Sequence, residues 1–260
     1  MTTPGPTETV QRQFGAVAAA YATSSYHANG PDLAELVTAG EFSGCERVLD
    51  LGCGAGHTAL RVAARATSVV GVDVTGEMVA VATDLAARQH VTNVTFEQGD
   101  VSALRFADGA FDVVTSRQSA HHYADPRKAL AEAFRVLRPG GRFLLIDTVS
   151  PEDPALDTFL NCFELLRDSS HVRDYRVSEW LRMFAEAGFE GAEVLSRYPI
   201  QLDGASWVQR MRTPPAKVAV LRQLFREATM AQRRAFELAD EPWGLSVPGG
   251  LMRAWRPAGG

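Results

Sequence analysis

The sequence predicts an α/β protein whose parallel sheet is covered by helices on both faces, and three observations carry that expectation. Short apolar runs alternate with helical stretches from residue 47 to residue 147. The first run leads straight into three glycines at alternate positions. Acidic residues stand where several of these runs end. Such a rhythm is that of βαβ units, which stack parallel strands under crossover helices.

The chain has 260 residues, of which 46% are hydrophobic and 22% charged. A chain of this size can bury a large core as a single domain. We divide it into a tail and lid helices over 1–40, a core over 41–150 and a C-terminal part over 151–260. Lys and Arg number 26 against 31 Asp and Glu, a formal charge of -5. That balance argues against a nucleic-acid partner, whose phosphates select clustered positive charge. No run of about 20 apolar residues is present, so stable membrane insertion is not expected. Met1 to Val10 lacks a basic stretch and an apolar core, so it does not read as a signal peptide, and a cytoplasmic setting is expected. Cys45, Cys53 and Cys162 are too few and too widely spaced for a disulfide framework or a structural zinc site. No metal is expected.

The elements follow in order. Residues 1 to 9 read as a loose tail. Phe14, Val17, Ala18 and Tyr21 form one helical stripe, and Leu33, Leu36 and Val37 a second beyond the Gly30-Pro31 breaker. Strands are expected at 47–51, 68–73, 94–97, 111–116 and 142–147. Helices are expected at 58–66, 76–89 and 126–137. Beyond Asp147 we expect an amphipathic helix over 155–168, a helix over 179–187 capped by Ser178, a strand over 192–198 and mostly helix over 204–240. A final strand over 245–256 is expected to break at Pro248-Gly249-Gly250.

The densest signal is Val48-Leu49-Asp50-Leu51-Gly52-Cys53-Gly54-Ala55-Gly56-His57. Glycine lets a backbone take positive φ and approach a ligand without a Cβ clash. The helix that follows offers free N–H groups to an anion or carboxylate. A dinucleotide-binding turn places its third glycine one residue later, which disfavours a nicotinamide oxidoreductase. Asp73 closes the second strand, placed to accept from a ribose diol. Gly99-Asp100-Val101 follows the third, where an acid can accept from an adenine amino group.

Together with Phe111-Asp112-Val113-Val114 and Arg138-Pro139-Gly140-Gly141, these motifs resemble the class I S-adenosylmethionine-dependent methyltransferases. Phe14-x-x-Val17-Ala18-x-x-Tyr21 is similar to the N-terminal helix of the ubiquinone/menaquinone-biosynthesis C-methyltransferase subgroup. Ala120-His121-His122-Tyr123 and Pro151-Glu152-Asp153 resemble a bacterial branch near it. The resemblance implies a Rossmann-like methyltransferase fold: a mostly parallel seven-stranded sheet, an N-terminal helical lid and helical insertions after the fifth strand. It implies S-adenosylmethionine as cofactor, with S-adenosylhomocysteine as product. Asp50, Gly52, Gly54 and Gly56 are then expected around the methionine moiety and Asp73 on the ribose hydroxyls. Val74 and Met78 are expected near the adenosine, and Asp100 and Val101 at the adenine. Arg117 is expected toward the methionine end or the substrate, and Tyr21 in the lid.

Methyl transfer from a sulfonium is an in-line displacement, so the protein mainly positions a nucleophile and excludes water. His121 and His122, just past the fourth strand, are the candidate catalytic bases; packing against the next helix is the structural alternative for either. As neighbours in sequence their side chains are expected to diverge. Asp147, Phe159, Phe163 and Trp207 are candidates to contact the substrate, the aromatics lining an apolar pocket; core packing is the alternative for the aromatics and a helix cap or salt bridge for Asp147. Asp168, His171, Arg173 and Asp174 form a polar cluster that reads as a solvated loop, with binding of a polar substrate group as the alternative. His27 and His57 read as packed, and His90 as a surface helix end. Arg210, Arg212, Lys217, Arg222, Arg226, Arg233 and Arg234 face only Glu227 in their stretch, either as a solvated face or as a contact for an acidic partner, a membrane surface or an anionic substrate. The function expected is transfer of a methyl group to a small molecule, in bacterial secondary or quinone-like metabolism, with a homo-oligomer compatible with the sequence. The rival expectation is a protein that binds the same cofactor yet catalyses a non-methyl reaction such as cyclisation.

Overall fold

The computed structural model describes residues 5–259, together with the backbone but not the side chains of residues 25 and 26. The apolar runs form β1 (Arg47–Leu51), β2 (Ser68–Asp73), β3 (Val94–Gln98), β4 (Phe111–Arg117) and β5 (Leu137–Thr148). All five pair in parallel. Two long strands, β6 (Glu190–Asp203) and β8 (Trp243–Trp255), extend the sheet antiparallel, in the order β3-β2-β1-β4-β5-β8-β6. The two-residue β7 (Ala239–Asp240) pairs with β8 beside this row. It is the one strand beyond the seven expected. β8 runs unbroken through Pro248-Gly249-Gly250, contrary to expectation. Pro248 needs no N–H where it stands opposite Pro199, and Gly249 gives room to the Tyr198 ring, which a Cβ would meet at 2.6 Å.

The helices lie on both faces. α1 (Pro6–Ala22), α2 (Ser25–Asn29) and α3 (Pro31–Ala39) precede the sheet; α4 (His57–Ala63), α5 (Gly76–Arg88) and α6 (Pro126–Val136) connect its parallel strands. α1 starts at Pro6, so residues 6–9 of the expected tail are helix; proline fits a first helical turn because its missing N–H has no partner there. Residues 1–4 of that expected tail lie outside the described residues. α7 (Pro154–Arg167), α8 (Val177–Glu186), α9 (Gly204–Arg210), α10 (Pro215–Arg226) and α11 (Met230–Ala235) follow β5. α8 begins two residues earlier than expected. Glu179 accepts from the Arg176 backbone N–H at 2.9 Å, while Ser178 points its hydroxyl at Glu152 (2.6 Å) rather than capping.

Three apolar cores result. One packs α6 and α8 against β1, β4, β5 and β8, around Leu145, Trp180 and Phe184. A second packs α3, α4 and α5 on the opposite face, around Leu36, Val62 and Ile146. The third lies under the C-terminal helices and holds Phe159, Phe163, Trp207, Leu221, Phe225 and Phe236. Phe159 and Phe163 are therefore core residues, not cavity residues as expected. Their spacing on α7 faces them to Phe225 and Phe236.

The N-terminal helices are fastened to the C-terminal end of β4 by one buried fork. Arg117 donates from Nε to Asp32 Oδ2 (2.7 Å), from Nη2 to Asp32 Oδ1 (2.9 Å) and from Nη1 to the His27 carbonyl (2.9 Å). The two side chains are 3% and 1% exposed, so neither charge is offset by water. Removing one partner strands the other, whereas replacing both with apolar groups of similar volume is far better tolerated. Asp32→Ala is expected to cost about 3–5 kcal/mol in urea unfolding, and Asp32→Leu combined with Arg117→Met much less.

Candidate active site

Open α/β sheets bind ligands past the carboxyl ends of their strands, and two adjoining cavities of this protein lie there. The larger, about 260 Å³, is walled by the β1–α4 glycine loop, the ends of β2, β3 and β4, and the lid residues Phe14 and Tyr21. Gly52, Gly54 and Gly56 take φ of +62°, +51° and +84°. A Cβ on Gly52 would strike Ser119 and one on Gly56 would strike Phe96, but a Cβ on Gly54 meets nothing within 4 Å. The first and third glycines thus let the loop close, and the second leaves ligand space.

Asp73 lies in the wall of this cavity. Its carboxylate accepts from the backbone N–H of Gly54 (2.8 Å) and Thr75 (2.9 Å), one bond to each oxygen. A carboxylate has about four lone-pair sites, so both oxygens keep capacity for a diol. Burial raises its pKa, and the two N–H bonds oppose that rise. Val74, Met78, Asp100, Val101, Tyr21 and Arg117 line the same cavity. Asp100 accepts from the Ser102 N–H (2.8 Å) and hydroxyl (2.6 Å), both at Oδ1, which leaves Oδ2 uncommitted by these bonds.

Asp50 departs from expectation. It lies under the loop rather than in the cavity wall, 1% exposed, and accepts from the Thr115 hydroxyl at 2.7 Å. Its other oxygen has no hydrogen-bond partner, and burial pushes the group up to about 7. Arg117 borders the cavity, but its fork onto Asp32 makes it the lid's anchor.

A second cavity of about 80 Å³ adjoins the first, and Phe14, Tyr21, His27, Gln118 and His122 border both. Trp207 lines it, with the Arg167 guanidinium 5.2 Å over its ring. The rest of its wall sets the polar His121, Thr148, Glu164, Arg167, Asp168, Asp174 and Arg210 beside the apolar Ile200, Leu202, Met211 and Val247. The expected solvated loop is thus a buried wall, with Asp168, His171 and Asp174 at 2%, 7% and 2% exposure. The Val172 and Arg173 N–H groups donate to the His121 carbonyl (3.0 and 3.1 Å) and pull the loop inward. Glu164 and Arg167 were missed because α7 reads as amphipathic; the signal was two charges continuing its apolar face.

His121 and His122 do not diverge. They share a short 3₁₀ turn (Ala120–His122), and their ring centroids lie 4.2 Å apart. Asp147 is fully buried and does not line either cavity. Instead it holds His121, accepting from ring Nδ1 (2.5 Å) and from the backbone N–H (3.0 Å). Burial alone would lower the His121 imidazole, but the Asp147 charge and hydrogen bond override it and bring the ring to about 9. His122 is pushed down to about 4 by burial and by the His121 charge, against the opposing pull of Asp168. The pair shares one proton near neutral pH, and it sits on His121. His122 donates from Nδ1 to the Ser170 carbonyl (3.0 Å), so its Nε2 carries the lone pair. His27 and His57 also line the larger cavity, although sequence reading had them merely packed; His57 Nε2 donates to the Tyr21 carbonyl (2.9 Å) and ties the lid to α4. The basic stretch is dispersed: Arg210 enters the second cavity, Arg222 lies 4.3 Å over Trp243, and Arg233 pairs with Asp240.

A family model described as a methyltransferase domain matches residues 43–188. The chain belongs to the class I S-adenosylmethionine-dependent methyltransferases. The methyltransferase is 44% identical over 207 residues to the methyltransferase YcgJ of Bacillus subtilis, covering 79% of this chain and 81% of that one. The crystal structure of YcgJ superposes with a TM-score of 0.84 at 37% identity, over 87% of this chain and 98% of the other. It is 33% identical over 211 residues to the 27-O-demethylrifamycin SV methyltransferase of Amycolatopsis mediterranei, 76% and 73% of the two chains. It is 37% identical over 120 residues to the ubiquinone/menaquinone biosynthesis C-methyltransferase UbiE of Bradyrhizobium diazoefficiens, 45% and 47% of the two. Among the described residues of this methyltransferase, no helix is long and apolar enough to cross a membrane.

The histidine pair gives stability a two-sided pH dependence. An unfolded histidine titrates near 6.5. His122, lowered to about 4, costs stability as pH falls from 6.5 toward 4, because the unfolded chain then binds the extra proton. His121, raised to about 9, contributes stability that is full below 6.5 and is lost as pH rises through 9. In denaturant titrations, His122→Gln is expected to flatten the acid limb and His121→Gln the alkaline limb.

Proposed function

We propose that the methyltransferase holds S-adenosylmethionine in the larger cavity and transfers its methyl group to a small molecule bound in the second. The observation that carries this reading is the adjacency of the two cavities across His122, Phe14 and Tyr21. The open space at Gly54 and the spare lone pairs of Asp73 fit a ligand with a carboxylate-bearing chain and a ribose diol. The cofactor supplies an electrophilic methyl on a sulfonium, which is a good leaving group. Asp73 would accept from both ribose hydroxyls, Asp100 through Oδ2 from the adenine amino group, and Val101 and Met78 would pack on the ring. Phe14 and Tyr21 exclude water.

His122 is suited to take a proton from an acceptor hydroxyl or amine as the methyl arrives. Its neutral state prevails at pH 7, its Nδ1–H is fixed by Ser170, and the Asp168 carboxylate lies 3.9 Å from Nε2, where it offsets the charge that develops. His121, held charged by Asp147, then acts as a fixed positive group. The rifamycin relative acts on a demethylated oxygen by its name, and the quinone relative on carbon; the polar second cavity supports an oxygen or nitrogen acceptor for this chain.

Calorimetry is expected to show binding of S-adenosylmethionine and S-adenosylhomocysteine. Asp73→Ala should weaken it by at least about tenfold, and Gly54→Val should abolish it by filling the cradle. Folded wild-type protein that binds neither molecule overturns the reading. With a turned-over acceptor, mass spectrometry should find a gain of one CH2; an unchanged mass would indicate cyclisation or another reaction on this fold. His122→Gln should reduce turnover by about 10²–10⁴ while altering cofactor affinity far less.

A further inference from the structure

Asp174 is the one lining residue of the second cavity whose carboxylate has neither oxygen hydrogen-bonded, among the described residues. It is 2% exposed, so water does not compensate it. An unmatched buried carboxylate is costly and needs a specific reason to persist. Its position is built rather than accidental. The Asp174 N–H donates to Asn161 Oδ1 (2.7 Å) and the Asp174 carbonyl accepts from Asn161 Nδ2 (3.2 Å). The backbone is clamped by one side chain of α7 while the carboxylate is left to the cavity.

The other charges around it are already matched. Asp147 spends both oxygens on His121 and on the Thr148 N–H. Glu164 faces Arg167 at 3.4 Å, and Asp168 accepts from the Ser170 hydroxyl and N–H. The carboxylates of Asp147, Glu164, Asp168 and Asp174 outnumber the cations His121, Arg167 and Arg210 by one. One further positive charge would balance the chamber.

We infer that Asp174 is a substrate-binding residue that receives a protonated amine, and that the methyl acceptor is accordingly an amine-bearing small molecule. This deepens the proposed function and rests on it. The ammonium would donate to the two unbonded oxygens and so place the acceptor beside His122. Burial and the nearby Glu164 and Asp147 raise the Asp174 carboxyl well above its usual range, with His121 and Arg167 opposing, so a bound ammonium would take the place of a proton. A divalent metal fits less well. The His121, Asp147 and Asp174 ligand atoms lie within 4.8 Å of one another, but Asp147 and His121 Nδ1 already satisfy each other.

The test uses full-length protein saturated with S-adenosylhomocysteine and matched probes that differ in one group. Benzylamine, benzyl alcohol and benzoate form one set; ethanolamine, ethylene glycol and glycolate form another. Melting temperature should rise with the amines of at least one set and not with their neutral or anionic partners. In Asp174→Asn that rise should disappear, with amine affinity lowered by at least about tenfold, while calorimetric binding of S-adenosylhomocysteine is retained. Without any amine, Asp174→Asn should melt at or above the wild-type temperature, because it removes an uncompensated carboxyl. The inference is overturned if alcohols or carboxylates stabilise as well as the amines, if no amine stabilises, or if Asp174→Asn alone melts lower. It is overturned in favour of a metal if Mg²⁺ or Zn²⁺ stabilises the wild type but not the variant. Failure of the wild type to bind S-adenosylhomocysteine would instead sink the methyltransferase site itself.

Discussion

The Arg117 fork onto Asp32 is the interaction on which the rest of the site depends. It joins the end of a central parallel strand to the N-terminal helices, which also pack through Val17, Ala18, Leu33 and Leu36. Through the His27 carbonyl it also holds α2. Phe14, Tyr21 and His27 are thereby held over the strand ends, and they form the partition between the two cavities. The Phe14 ring meets His122 edge-on at 4.9 Å, so the lid packs directly on the imidazole pair. A guanidinium suits this task because its planar fork can bind a carboxylate and a carbonyl together and stays charged when buried.

Beneath that lid the protein concentrates charge that an ordinary core would avoid. Each buried group is positioned by a neighbour: Asp147 grips His121 at ring and backbone, Ser170 pins His122, and Asn161 frames Asp174. The two imidazoles lie nearly in contact yet occupy different protonation states, because Asp147 hydrogen-bonds the His121 ring while Asp168 stands 3.9 Å from His122. One dipeptide thus presents a fixed positive group and a free lone pair a few ångströms apart. The end of β5 supplies the first by way of Asp147, and the 168–176 loop supplies the second.

Much of this architecture was legible in the sequence, and what was not has a physical cause. The parallel strands were legible because strands buried on both faces read as unbroken apolar runs that end at glycine or acid. The glycine loop, Asp73 and Asp100 were legible because their backbone conformations and positions demand those residue types. The third core was not: Phe159 and Phe163 were read as pocket residues because an apolar stripe does not say what it packs against. The loop around Asp174 was read as solvated because its composition is polar; only the hydrogen bonds of residues 172 and 173 to His121, distant in sequence, bury it. Asp50 and Asp147 stand at the expected strand ends but one layer back, where they support the loop and the histidine instead of touching a ligand.

The two unmatched oxygens of Asp174 give the fold a deficit that an ordinary interior would not carry. Any molecule that meets them binds the native state and not the unfolded chain, so it adds to stability in proportion to the logarithm of its concentration. The resting protein is therefore the weakest form of itself. Its persistence against unfolding and proteolysis would follow the supply of its own ligands, which makes the lifetime of the protein a record of whether its reaction is being fed.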